Sequence, residues 1–94
     1  MRAQRLAIRL SHAIGVPEDV VLGLPQLILT GDRELSIENH RGVRSVTPER
    51  ISIETRYGTA IIDGSALVLR AIGHDDVAIS GIIAGITFAR EAPS

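Results

Sequence analysis

The sequence contains no cysteine, no tryptophan and no lysine, and only Tyr57 and Phe88 represent the aromatics in its 94 residues. Without cysteine there are no disulfides, no thiol nucleophiles and no thiolate metal sites, so the chain is expected to work in a reducing, cytoplasmic setting. With an aromatic fraction of 2% the interior has to be built from Ile, Val, Leu and Ala, which favours aliphatic strands. The formal net charge of −1 and the scarcity of rings for base stacking argue against nucleic acid as a partner. No apolar run approaches the roughly 20 residues of a membrane-spanning helix, and the N-terminus lacks the continuous apolar stretch of a signal peptide. These exclusions lead to the expectation of a soluble, unexported protein with one core.

Hydrophobic periodicity divides the chain in two. Residues 2–14 (RAQRLAIRLSHAI) place Ala3, Leu6, Ala7, Leu10, Ala13 and Ile14 on one helical stripe, with Arg2, Arg5 and Arg9 on another arc. Gly15 and Pro17 are suited to ending that helix, and residues 17–22 can make one or two further turns. From Gln26 the period changes to two. Leu35 and Ile37 alternate with Glu34, Ser36 and Glu38, while Ile51 and Ile53 alternate with Arg50, Ser52 and Glu54. Turn-forming pairs recur at Gly31-Asp32, Arg41-Gly42, Thr47-Pro48, Tyr57-Gly58, Asp63-Gly64, Gly73-His74 and Ser80-Gly81, leaving no room for crossover helices. The expected fold is therefore mainly β (α+β): an N-terminal helical segment over 1–24, then a β domain over 25–90. In that domain about seven or eight short strands form an antiparallel meander in a curled or half-barrel sheet, all within one structural unit.

The reactive side chains concentrate in GDRELSIENHRGV, residues 31–43. Alternation along a strand disperses them: Glu34 and Glu38 stand roughly 13 Å apart along the backbone, too far for a glycosidase pair. A triad of Ser36, His40 and Asp32 meets the same obstacle, with no nucleophile elbow to support it. A hydrolase or metal-assisted activity centred on His40 or His74 is the enzymatic alternative, and it requires one of these rings to meet distant acids in a cleft. His74, Asp75 and Asp76 read as a polar turn, and SGIIAG at 80–85 lacks the glycine pattern of a phosphate loop. The expectation is no catalytic residue, no metal and no cofactor.

Two surfaces remain. Arg2, Arg5 and Arg9 suit an acidic partner or an anionic membrane, at about 1 kcal/mol per basic residue near such a surface. The later strands, above all IIAGITFA at 82–89, are apolar on both faces, and two faces need two covers. Self-association would supply the second.

The segments VPEDVVLGLPQLILTG, RELSIENHRGV, the Thr-Pro-Glu-Arg turn into RISIET, ALVLRAI and AISGIIAGITF make the chain similar, over nearly its whole length, to the YabP/YqfC family of sporulation proteins, and most to its YqfC branch. That resemblance implies a non-enzymatic accessory or scaffold role in endospore formation. It implies a cytoplasmic place on the mother-cell side. The expected partners are a second copy and a membrane-bound sporulation protein, and the alternative is a peripheral adaptor at the forespore membrane. Asn39, His40 and Arg41 offer a polar contact patch, and Ile82, Ile83, Ile86 and Phe88 an apolar one.

Overall fold

A computed structural model describes residues 23–90. Six strands run β1 (Gln26–Thr30), β2 (Glu34–Glu38), β3 (His40–Val46), β4 (Arg50–Thr55), β5 (Gly58–Ile72) and β6 (Asp76–Ala89). They form one antiparallel sheet in the order β1-β2-β6-β5-β4-β3. The α+β expectation is corrected accordingly: the described residues are all β, with no helix. The helix expected over 2–14 and the turns over 17–22 lie outside the described residues.

The strand count is corrected too, and the reason is local. Asp63-Gly64 and Ser80-Gly81 do not turn the chain; they sit inside β5 and β6, which run unbroken for 15 and 14 residues. What looks like two hairpins is one long bent hairpin. Register shifts between Asp63 and Gly64 and between Ser65 and Val68 mark the bend. Such bulges increase local twist and redirect a strand without ending it. Glycine is required here by space. A side chain on Gly64 would run into the Ile82 carbonyl, and one on Gly81, whose φ is +134°, would meet the Ala66 carbonyl at 2.5 Å.

The bend divides the sheet into two leaves. In the first, β1 pairs with β2, β2 with the start of β6, and the start of β6 with the end of β5 (Leu35↔Ile79↔Leu69). In the second, β3 pairs with β4, β4 with the start of β5, and the start of β5 with the end of β6 (Ile53↔Ala60↔Phe88). β2 therefore joins β6 instead of continuing a simple meander. Backbone bonds secure both outer corners, from Gly81 and Ile83 to Arg33 and Asp32, and from Gly64 and Leu67 to Glu49 and Pro48.

Leu35, Ile37, Val77 and Ile79 from the first leaf join Ile51, Ile53, Ala60 and Ile62 from the second in a single core. Ile37, Ile51, Ile53 and Ile62 are wholly inaccessible. Each such side chain contributes about 1.5–3 kcal/mol by leaving water. The alternation seen in ELSIE and RISIE is the signature of these inward-facing positions. On the outward face of the second leaf, Arg50 pairs with Asp63 at 2.6 Å and Arg44 with Glu54 at 2.8 Å across neighbouring strands.

Candidate functional site

The segment Asn39-His40-Arg41-Gly42 carries the chain from β2, in the first leaf, to β3, at the edge of the second. Its residue types follow from that task. Asn39 has φ 65°, a left-handed conformation that asparagine tolerates better than most residues, and Gly42 has φ 140°, which favours glycine. No atom crowds Gly42, so its requirement is conformational.

Every hydrogen bond described for this crossover reaches backbone. The Asn39 and His40 amides both donate to the Asp75 carbonyl, at 2.7 and 3.3 Å. The Asn39 side-chain amide donates to the Leu24 carbonyl at 2.7 Å, tying the approach to β1 against the start of β3. His40 Nδ1 accepts the Gly42 N–H at 2.9 Å, and its Nε2 lies 3.2 Å from the Gly73 carbonyl. Since an amide N–H can only donate, Nδ1 carries no proton in this arrangement, and Nε2–H donates to Gly73. The ring is thus a strut between β3 and the β5–β6 turn, which the Gly73 amide closes on the Asp76 carbonyl at 2.7 Å.

Arg41 is exposed and sits where the β3–β4 register slips, as does Arg44. His74 bonds its neighbour Asp75 at 3.0 Å, with the two side chains 97% and 74% exposed. Neither histidine meets an acid from a distant strand, and Asp32 pairs locally with Arg33 at 3.3 Å. Among the described residues no three of His, Asp and Glu gather as metal ligands. The acids of GDRELSIENHRGV stay spread along the outer side of β2 and its turns.

Among the described residues, two open concavities stand out. One of about 300 Å³ lies on the outer face of the first leaf, floored by Ser36 and Ala78 and rimmed by Ile28, Glu34 and Arg70. The other, of about 210 Å³, is lined by Leu24, Pro25, Tyr57, Phe88 and Arg90. Neither has a histidine in its wall.

Of the apolar contact residues expected from sequence, Ile82 and Phe88 are 45% and 42% exposed, Ile86 is half-buried against the core, and Ile83 is a core residue. Ile83 continues the inward alternation of Val77 and Ile79, and the register between Asp63 and Gly64 leaves Ala84 as an extra residue, which puts Ile86 and Phe88 on the same face as Ile83. Arg2, Arg5 and Arg9 lie outside the described residues. No helix among those residues is long and apolar enough to cross a membrane.

Sequence comparison gives this architecture a family. The profile of the YabP family matches residues 23–94. An uncharacterized protein of Bacillus subtilis (strain 168), YqfC, is 30% identical over 82 residues, spanning 87% of this chain and 88% of its own length.

Proposed function

The chain belongs to the YabP family, and from that premise we propose that it is a non-enzymatic accessory protein of endospore formation that works by assembly, through the apolar margin of its sheet. The observation that carries this reading is the occupation of His40. The one ring within the densest cluster of reactive side chains has both nitrogens bound to backbone, leaving neither for proton transfer. Exposed apolar side chains, Ile82 and Phe88 of β6 among them, are available for contact. The sporulation role and the mother-cell location follow from the family resemblance, and a membrane-bound sporulation protein is a natural second partner.

Complementation of a deletion strain, scored as heat-resistant spores, tests the reading. His74→Gln should complement fully. Ile82→Lys combined with Phe88→Lys should fail while accumulating as folded protein. Loss of spores from His74→Gln, or full rescue by the double lysine variant, would contradict it.

A further inference from the structure

A strand at the margin of a sheet exposes unpaired N–H and C=O groups, and proteins block such margins with charge, bulges or proline. This sheet has four margins among its described residues, because each leaf contributes two: β1 and the end of β5 in the first, β3 and the end of β6 in the second. β3 is interrupted by two register shifts that leave Arg41 and Arg44 as the extra residues. The end of β5 is interrupted in the same way, with Arg70 in its bulge. β1 is five residues long and starts directly after Pro25.

The end of β6 carries none of these devices. From Gly85 to Ala89 it keeps an unbroken register with β5, contains no charged residue and no proline, and no described strand pairs with its other side. Thr87, Phe88 and Ala89 are all exposed.

We propose that residues 85–89 pair antiparallel with the same residues of a second copy, about a two-fold axis through Thr87. The proposal rests on the assembly reading above and specifies its contact. An extended, uncharged strand is what this margin can hydrogen-bond, and a copy of itself fits side chain by side chain. On the outer face Thr87 meets Thr87, and Gly85 meets Ala89, all small. On the inner face Ile86 lies opposite the second copy's Phe88, and Phe88 opposite its Ile86, a pairing of aromatic with β-branched side chains that sheets favour. The approaching isoleucine also lies beside the 210 Å³ hollow that Phe88 shares with Leu24, Pro25 and Tyr57. The two second leaves then become one continuous eight-stranded sheet, ordered β3-β4-β5-β6 and its two-fold mirror in sequence. The symmetry is isologous and closed, so association stops at the dimer. Five paired residues make a contact smaller than a standard interface, so the dimer should depend on concentration.

The two-fold axis supplies the test, because any charge placed at residue 87 faces itself. Sedimentation equilibrium on the full chain should show a concentration-dependent dimer. Thr87→Glu and Thr87→Lys should each weaken it about tenfold or more, since like charges directly opposite are destabilising. An equimolar mixture of the two variants should dimerise again, with thermal melts confirming that each is folded. A wild-type chain that remains monomeric at every concentration overturns the pairing. So does a dimer indifferent to Thr87→Glu, or single variants whose mixture shows no recovery. None of these failures touches the accessory role, which stands or falls on the complementation assay.

Discussion

The Nε2 of His40 lies 3.2 Å from the carbonyl of Gly73, 33 residues away, and so connects the crossover between the leaves to the turn of the longest hairpin. His40→Ala removes this bond and leaves the Gly42 amide without its acceptor. Lost hydrogen bonds of this kind cost about 0.5–1.5 kcal/mol each. We expect urea denaturation to show a loss of about 1–2 kcal/mol with an unchanged m-value. His74→Ala removes only an exposed contact and should stay within about 0.5 kcal/mol of wild type. The reverse ranking would contradict the strut.

Asn39 combines two requirements that substitutions separate. Asn39→Gly keeps the left-handed backbone easy and loses the side-chain bond to the Leu24 carbonyl. Asn39→Ala loses the same bond and adds strain of about 1 kcal/mol or more at φ 65°. Chemical denaturation should therefore rank wild type above Gly and Gly above Ala; equal stability of the two variants would show that the dihedral carries no weight.

Gly64 and Gly81 stand at the bend, where added side chains meet backbone that cannot move aside. Gly64→Ala should be the most damaging glycine-to-alanine substitution in the described sheet, costing about 3 kcal/mol, in the manner of overpacked interiors. Gly31→Ala meets no atom and involves only its φ of +57°, so about 1 kcal/mol is expected. Thermal unfolding of the pair decides, and a tolerated Gly64→Ala would place the bend elsewhere.

The Arg44 guanidinium, with help from the Thr59 hydroxyl, holds the Glu54 carboxyl below its ordinary value of 4.5. The folded protein then binds this proton less readily than the unfolded chain. Its contribution is complete above about pH 4.5 and is lost as pH falls through the lowered folded value. Urea midpoints measured from neutral pH downward should fall less steeply in Glu54→Gln than in wild type. The difference should shrink in high salt, because the pair is exposed. Identical slopes would show the pair to be inert.

These expectations also show which parts of the structure can be read from sequence. ELSIE announces itself because Leu35 and Ile37 face the core while its alternate residues do not, and period two follows directly; in RISIET Ile51 and Ile53 keep that period, but Ser52, expected on the wet face, is buried as well. The dispersal of Glu34, Ser36 and Glu38 follows from the same alternation. Asp63-Gly64 and Ser80-Gly81 mislead, because a glycine demanded by close backbone approach at a bend has the same local composition as one demanded by a turn. Only the pairing partner distinguishes them, and that is non-local. Ile83 is hard to place for a related reason: IIAGITFA is apolar at successive positions, and the Ala84 bulge, visible only in the pairing, decides which later residues share the face of Ile83. Asn39-His40-Arg41-Gly42 reads as a turn in the sequence, whereas His40, Arg41 and Gly42 open β3; the contacts of Asn39 and His40 with Leu24, Gly73 and Asp75 come from 15 to 36 residues away in the chain and leave no mark in the local pattern.

The central claim is that the His40 ring is a structural strut whose protonation pattern is fixed by backbone. Long-range proton–nitrogen correlation spectra of the histidine rings at neutral pH measure this directly. The account predicts that His40 is held in the tautomer with hydrogen on Nε2 and an unprotonated, hydrogen-bonded Nδ1. A ring with hydrogen on Nδ1, or one averaging between tautomers as a solvent-exposed imidazole does, would contradict it.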